Sequence, residues 1–194
     1  DLPRAYRGDV MAARAGMLTL ITRLRGMTNA GTADWSDEAL QDVLDARRVD
    51  LNRAPLEAEP EYVNGTTVWH DYYAPLGNFE EASSGAQYWR VENTSGEAVG
   101  TADYTVDYAS GYIRFTADQG GTTYYLRGRS YQMNLAAADV WRRKAAAYAE
   151  RYDVQTDNHR LNRSQVIAHC LKMAAEYEAK AGIQSVQVVR GDLV

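Results

Sequence analysis

Two stretches toward the carboxyl end set the tightest limits on how this chain can fold. Ala138, Trp141, Ala145, Tyr148 and Tyr152 follow one another at steps of three, four, three and four residues, and Ile167, Cys170, Ala174, Tyr177 and Ala181 repeat those steps. That spacing lines one side of an α-helix, and so narrow a stripe reads as the seam shared by two packed helices. The alanines in both stripes let two backbones come close. Residues 153–163 between them are polar and few, so helices over 131–152 and 164–181 are predicted to pair antiparallel. Gly182 is a good stop for the second. The expected core of the pair is Ala138, Trp141, Ala145 and Tyr148 against Ile167, Cys170, Ala174 and Tyr177.

The amino end is also read as helical. In residues 10–28, Val10, Ala13, Met17, Leu20, Ile21, Leu24 and Met27 recur at helical spacing, and Thr28-Asn29-Ala30-Gly31 ends the run. Asp34 or Ser36 is placed to cap a second helix, with Asp37 and Glu38 suited to its positive end. That helix is expected to reach about Val49, with Leu40, Val43 and Leu44 inward, before Ala54-Pro55 to Glu59-Pro60 breaks it.

Between these helical ends the period changes. Asn64-Gly65 is the strongest short hairpin signal, since both residues accept the positive φ of a type I′ turn. Strands are predicted over 67–73, 87–92, 104–108, 112–115 and 123–127, separated by Asn93-Thr94-Ser95-Gly96, Ala109-Ser110-Gly111 and Gln119-Gly120-Gly121. The predicted fold class is therefore α+β: mainly a helical bundle with a long carboxyl-terminal antiparallel helix pair and an inserted antiparallel β-meander. The expected division is 1–60 as amino-terminal helices, 61–130 as a projecting β-rich insertion, 131–182 as the helix pair completing the body, and 183–194 as an extended tail. In that tail Ile183, Ser185 and Gln187 alternate with Gln184, Val186 and Val188, with no neighbouring strand in sequence to pair with.

Composition narrows the function. A net charge of −5 disfavours tight binding to phosphate backbones. The single cysteine, Cys170, allows no internal disulfide, and the start Asp1-Leu2-Pro3-Arg4 does not read as a signal peptide. Apolar runs fall well short of the roughly 18 residues of a membrane span. The skew is aromatic: 14 Tyr and 4 Trp against 2 Phe, which suits interfaces as well as strands.

No chemistry-bearing constellation stands out. His70, His159 and His169 contain no pair at metal-ligand helical spacing, so no metal site is expected. Cys170 sits on an apolar seam and reads as a structural thiol. Glu80-Glu81 and Glu57, Glu59 and Glu61 are read as solvated carboxylates of loops rather than acid–base pairs. Gln119-Gly120-Gly121 lacks the Lys-Ser/Thr of a phosphate loop. The tripeptides Arg7-Gly8-Asp9 and Arg190-Gly191-Asp192, and the glycosylation-like Asn64-Gly65-Thr66, Asn93-Thr94-Ser95 and Asn162-Arg163-Ser164, are read as coincidental. Arg142-Arg143-Lys144 and Arg160/Arg163 are read as solvated helix faces.

Three separated runs resemble one known family. Residues 35–45, opening Trp35-Ser36-Asp37-Glu38-Ala39-Leu40, resemble the early helix of head–tail adaptor (connector or neck, head completion) proteins of long-tailed double-stranded DNA bacteriophages. So do Tyr104-Thr105-Val106-Asp107-Tyr108 with Gly111-Tyr112-Ile113-Arg114-Phe115-Thr116. The third is Gly128-Arg129-Ser130-Tyr131-Gln132-Met133-Asn134-Leu135 through Trp141, leading to Arg163-Ser164-Gln165. The pieces fall in the family's order over most of the chain, and that order carries more weight than any one of them.

The resemblance implies a structural, non-catalytic subunit without cofactors or metals. Such subunits form a ring of about twelve copies below the portal protein. Helices build the ring body, a stopper or tail completion protein docks on it, and genomic DNA passes through without sequence-specific binding. The implied location is the virion neck, assembled in the host cytoplasm, with no membrane partner. In that setting the tail is expected to order on the portal or a neighbouring subunit through Val186, Val188, Val189, Arg190 and Asp192. The competing class is a carbohydrate- or ligand-binding β-module of a virion or bacterial surface protein, prompted by Trp69, Tyr72, Tyr73, Tyr88 and Trp89.

Overall fold

A computed structural model describes residues 12–83, 88–149, 155–156, 159–160 and 163–181. The chain divides into two compact units, Asp1–Met133 and Asn134–Val194.

In the first unit a single 3-10 turn, Ala15–Met17, leads into α1 (Leu18–Thr28), which buries Leu20, Ile21, Leu24 and Thr28. Asn29 ends the helix in the left-handed conformation (φ 49°), returning its N–H to the Arg25 carbonyl; asparagine tolerates that region better than most residues. Helix α2 (Asp37–Asp45) starts at Ser36, whose hydroxyl accepts the Ala39 N–H at 3.2 Å, with Asp37 and Glu38 in its first turn. Leu40, Val43 and Leu44 are fully buried beneath it. Arg25 joins the helices by donating to the carbonyls of Ala30 and Trp35 and to Asp37. Ser36→Ala should lower stability by about 1 kcal/mol, read as a reduced Tm, while Ser36→Asp should be nearly neutral.

Seven strands follow: β1 (Arg48–Pro55), β2 (Glu57–Val63), β3 (Thr66–Tyr73), β4 (Trp89–Glu92), β5 (Tyr104–Asp107), β6 (Tyr112–Phe115) and β7 (Tyr125–Tyr131). They form two antiparallel sheets, ordered β1-β7-β4 and β2-β3-β6-β5. The inward residues of both sheets, among them Val91 and Leu126 of the first and Tyr72, Ile113 and Phe115 of the second, belong to one hydrophobic cluster. Rings meet edge-on within it, Tyr72 on Phe115 at 5.1 Å and Phe79 on Trp89 at 5.0 Å. The sheets therefore lie face to face as a sandwich, leaving one outer face on each.

Two turns depend on glycine or asparagine. Asn64 (φ 51°) and Gly65 (φ 86°) close the β2–β3 hairpin in the I′ pattern. Gly111 (φ 80°) turns β5 into β6, and a Cβ there would strike the Leu76 carbonyl oxygen. Gly111→Ala combines left-handed strain with that clash and should destabilise by about 1–3 kcal/mol in a denaturant melt.

The second unit holds α3 (Met133–Ala149, beginning at the unit boundary) and α4 (Arg163–Ala181), with the two-residue strands β8 (Gln155–Thr156) and β9 (His159–Arg160) paired antiparallel between them. Ala138, Trp141, Ala145, Cys170 and Ala174 form a buried cluster, flanked by half-buried Val166, Ile167, Met173 and Tyr177. Arg142 pairs with Glu178 outside it. Among the described residues no helix is long and apolar enough to cross a membrane.

The expectation of a mainly helical bundle with an inserted meander is overturned. Among the described residues the protein is α+β, with four α-helices, two antiparallel sheets totalling seven strands and the short β8–β9 ladder, and it is not mainly a helical bundle. Residues read as a helix end and a breaker are strands β1 and β2. Both are edge strands, where Pro55 and Pro60 cost no ladder bond. Nor is the β-region a meander: Arg48 pairs with Tyr131 and Pro55 with Tyr125, so the first strand closes against the last.

Candidate functional site

Among the described residues the most connected polar cluster gathers Arg14, Asp45 of α2, Glu80 and Tyr131 of β7. Glu80 is 1% exposed. Arg14 donates to it from Nε at 2.8 Å and to both oxygens of Asp45 at 2.9 and 2.7 Å. The Tyr131 hydroxyl donates to Glu80 at 2.8 Å. The Arg14 backbone N–H also donates to the Gln41 side-chain oxygen at 2.7 Å. The two carboxylates hold the Arg14 guanidinium still more firmly protonated, through the Asp45 hydrogen bonds above all. Burial, and next the Glu80 contact, push the Tyr131 phenol well up, so it stays a neutral donor. Arg129 lies 3.7 Å from Glu80, so two guanidiniums face the two carboxylates; no nucleophile is present, and the cluster fixes structure.

Glu80 thus differs from the solvated carboxylate expected of it. Glu57, Glu59 and Glu61 are exposed as expected but lie on strand β2, not on a loop.

The two outer sheet faces of the first unit each carry a cluster of charged residues. On the β1-β7-β4 face, Arg90 stands directly opposite Arg127 and Asp50 opposite Arg129. Glu92, 1% exposed, is shared by Arg127 at 2.7 Å, Arg90 at 3.2 Å and Arg53 at 3.5 Å. Asp50 is shared by Arg48 at 2.9 Å and Arg129 at 3.8 Å. Arg129 stacks 3.6 Å over the Tyr88 ring and Arg53 4.8 Å over Tyr125.

The outer face of β2-β3-β6-β5 has the opposite character. Asp71 takes Arg114 at 2.8 Å and the Tyr112 hydroxyl at 2.6 Å. Tyr73 tilts against Tyr112 at 5.3 Å, and a hydrogen bond to Glu59 pushes its phenol up to about 12. Ser110 and the Ala109 N–H hold Asp107 below the usual carboxylate range.

The residues expected in the helix-pair core are placed as follows. Ala138, Trp141, Ala145, Cys170 and Ala174 are buried, Ile167 and Tyr177 half-buried, and Tyr148 36% exposed. Burial pushes the Cys170 thiol up, which suits packing rather than nucleophilic chemistry. His169 meets the Trp141 ring edge-on and His70 contacts the Phe115 carbonyl. Among the described residues no group of three His, Cys, Asp or Glu could hold a metal ion. A hollow of about 300 Å³ lies between Thr19, Arg23, Glu81, Asp107 and Tyr108, with no nucleophile–base pair. Val186, Val188, Val189, Arg190 and Asp192, like Arg7-Gly8-Asp9, lie outside the described residues.

Sequence reasoning missed the Arg14 cluster and both charged faces. Their signal was present only as alternation: Arg127 and Arg129 stand at every second position around inward Leu126, Gly128 and Ser130.

No family model, curated protein or solved structure matches the chain.

Proposed function

We propose that this chain is a structural head–tail adaptor subunit of a tailed bacteriophage, forming a ring below the portal that extends the DNA channel and docks tail or stopper components. The observation that carries the reading is the ordered resemblance of three separated runs. Each run falls on a discrete piece of the fold: α2 with its Ser36 cap, the β5–β6 hairpin, and β7 running into α3.

The adaptor reading makes two expectations. At net charge −5 per copy a ring is strongly acidic overall, so it should let duplex DNA pass rather than hold it. Fluorescence anisotropy should find duplex binding weaker than about 1 μM at physiological salt; tighter binding that falls steeply with added salt would contradict the reading. Truncation after Gly182 should leave folding unchanged by circular dichroism yet abolish joining of tails to filled heads. Undiminished joining would remove residues 183–194 from the docking assignment.

A second reading, a carbohydrate-binding module, has one observation in its favour. Tyr73 and Tyr112 form a paired ring surface beside Asp71 and Arg114 on an outer sheet face. Binding of an oligosaccharide by the wild-type protein but not by Tyr73→Ala would favour this reading over the adaptor.

A further inference from the structure

The two outer faces of the sandwich differ in sign. The β1-β7-β4 face presents Arg48, Arg53, Arg90, Arg127 and Arg129 against Asp50, Glu92 and Glu80, the last 3.7 Å from Arg129: five positive charges less three negative, a surplus of two. The β2-β3-β6-β5 face presents Glu57, Glu59, Glu61, Asp71 and Asp107 against Arg114, five negative charges less one positive, a deficit of four. These faces point in opposite directions, separated by a core about 10 Å thick. Within one copy they cannot neutralise each other by contact.

We infer that copies of this chain associate head to tail, the arginine face of one sandwich seated on the acidic face of the next. The chemistry of both faces fits that occupant. Two carboxylates are each divided among two or three guanidiniums, so planar N–H edges remain to take further carboxylates two-toothed. The acidic face offers exposed Glu57 and Glu59 together with the rings of Tyr73 and Tyr112, on which guanidiniums stack. Arginine and tyrosine are also the residues enriched at protein interfaces. A polyanion such as DNA would meet the arginine face but be repelled by the rest of a chain at net −5.

A contact between two different patches leaves a free patch of each kind, so it repeats until the rotation closes a ring or runs on as a filament. The inference deepens the ring reading and rests on it only for closure.

The test is sedimentation velocity of the full chain over rising concentration, in low salt and in about 0.3 M salt. Self-association is expected at low salt, weakened about tenfold or more by the added salt. Glu57→Lys/Glu59→Lys, both exposed on an edge strand, should weaken it by a similar factor, as should Arg127→Glu. If Arg127→Glu loses its circular dichroism, Arg48→Glu replaces it. An equimolar mixture of the acidic-face and arginine-face variants should recover association, because each supplies the face the other lacks.

A monomer at every concentration in low salt overturns the inference, as do variants that associate like wild type or a mixture that fails to recover. Loss in Arg127→Glu of duplex binding, with self-association unchanged, reassigns the face to nucleic acid. Rings indifferent to these substitutions overturn this contact and leave the adaptor reading standing. Head-to-tail association by a protein that never joins tails to heads does the reverse.

Discussion

Exchange of Arg14 for methionine should lower the stability of the first unit by about 3–5 kcal/mol, among the largest effects any single substitution here can have. The reason is the company Arg14 keeps. It bonds to Glu80, 1% exposed, and is the chelating partner of Asp45, while its own side chain is 25% exposed. Without it Glu80 retains the Tyr131 hydroxyl and a distant Arg129 at 3.7 Å, so a buried carboxylate is left short of compensation. Arg14→Lys keeps the charge but not the fork that reaches two carboxylates at once, and should recover only part of the loss. Arg14→Met with Glu80→Leu should recover much of it, because an apolar pair needs no compensation. Urea melts give each value; an Arg14→Met loss under about 1 kcal/mol would mean that solvent reaches Glu80 freely.

The second large effect belongs to the helix pair. Trp141→Ala should cost about 3–5 kcal/mol, the usual range for truncating a buried aromatic. Trp141 is 9% exposed, sits in the Ala138–Ala145–Cys170–Ala174 cluster, and carries Lys144 over its ring at 4.8 Å. Its buried neighbours are three alanines and Cys170, too small to fill the space by rearranging, so a cavity should persist. Its indole Nε1 is buried without a hydrogen-bond partner. Trp141→Phe discards that unpaired group along with some volume and should cost less than about 1.5 kcal/mol. Equal losses for the two substitutions would show that ring volume is not what the site requires.

What could be read from sequence was local. Ser36, Asn64-Gly65 and Gly111 announce a cap and two turns because each answers a backbone demand a few residues away. The stripe from Ala138 to Ala145 and the one from Cys170 to Ala174 were legible because helical periodicity survives in a short window. The edge strands β1 and β2 were not. Their outward positions are charged, their inward ones are only moderately apolar, and their prolines look like breakers until the strands are known to lie at sheet edges. Charge pairing was hidden for a related reason. Arg14 meets Glu80 and Asp45, and Arg53 meets Glu92, only after non-local strands close, and no spacing rule marks such partners. The same holds for the sign of each sheet face: Arg90 and Arg127 come together only because β4 pairs with β7.

The adaptor reading is tested most directly by mixing the purified full chain with the portal ring of the same phage and weighing the product by native mass spectrometry. The reading predicts that the portal gains a closed ring of about one copy per portal subunit, about twelve in all. A portal that gains no mass in the presence of excess folded protein would contradict it.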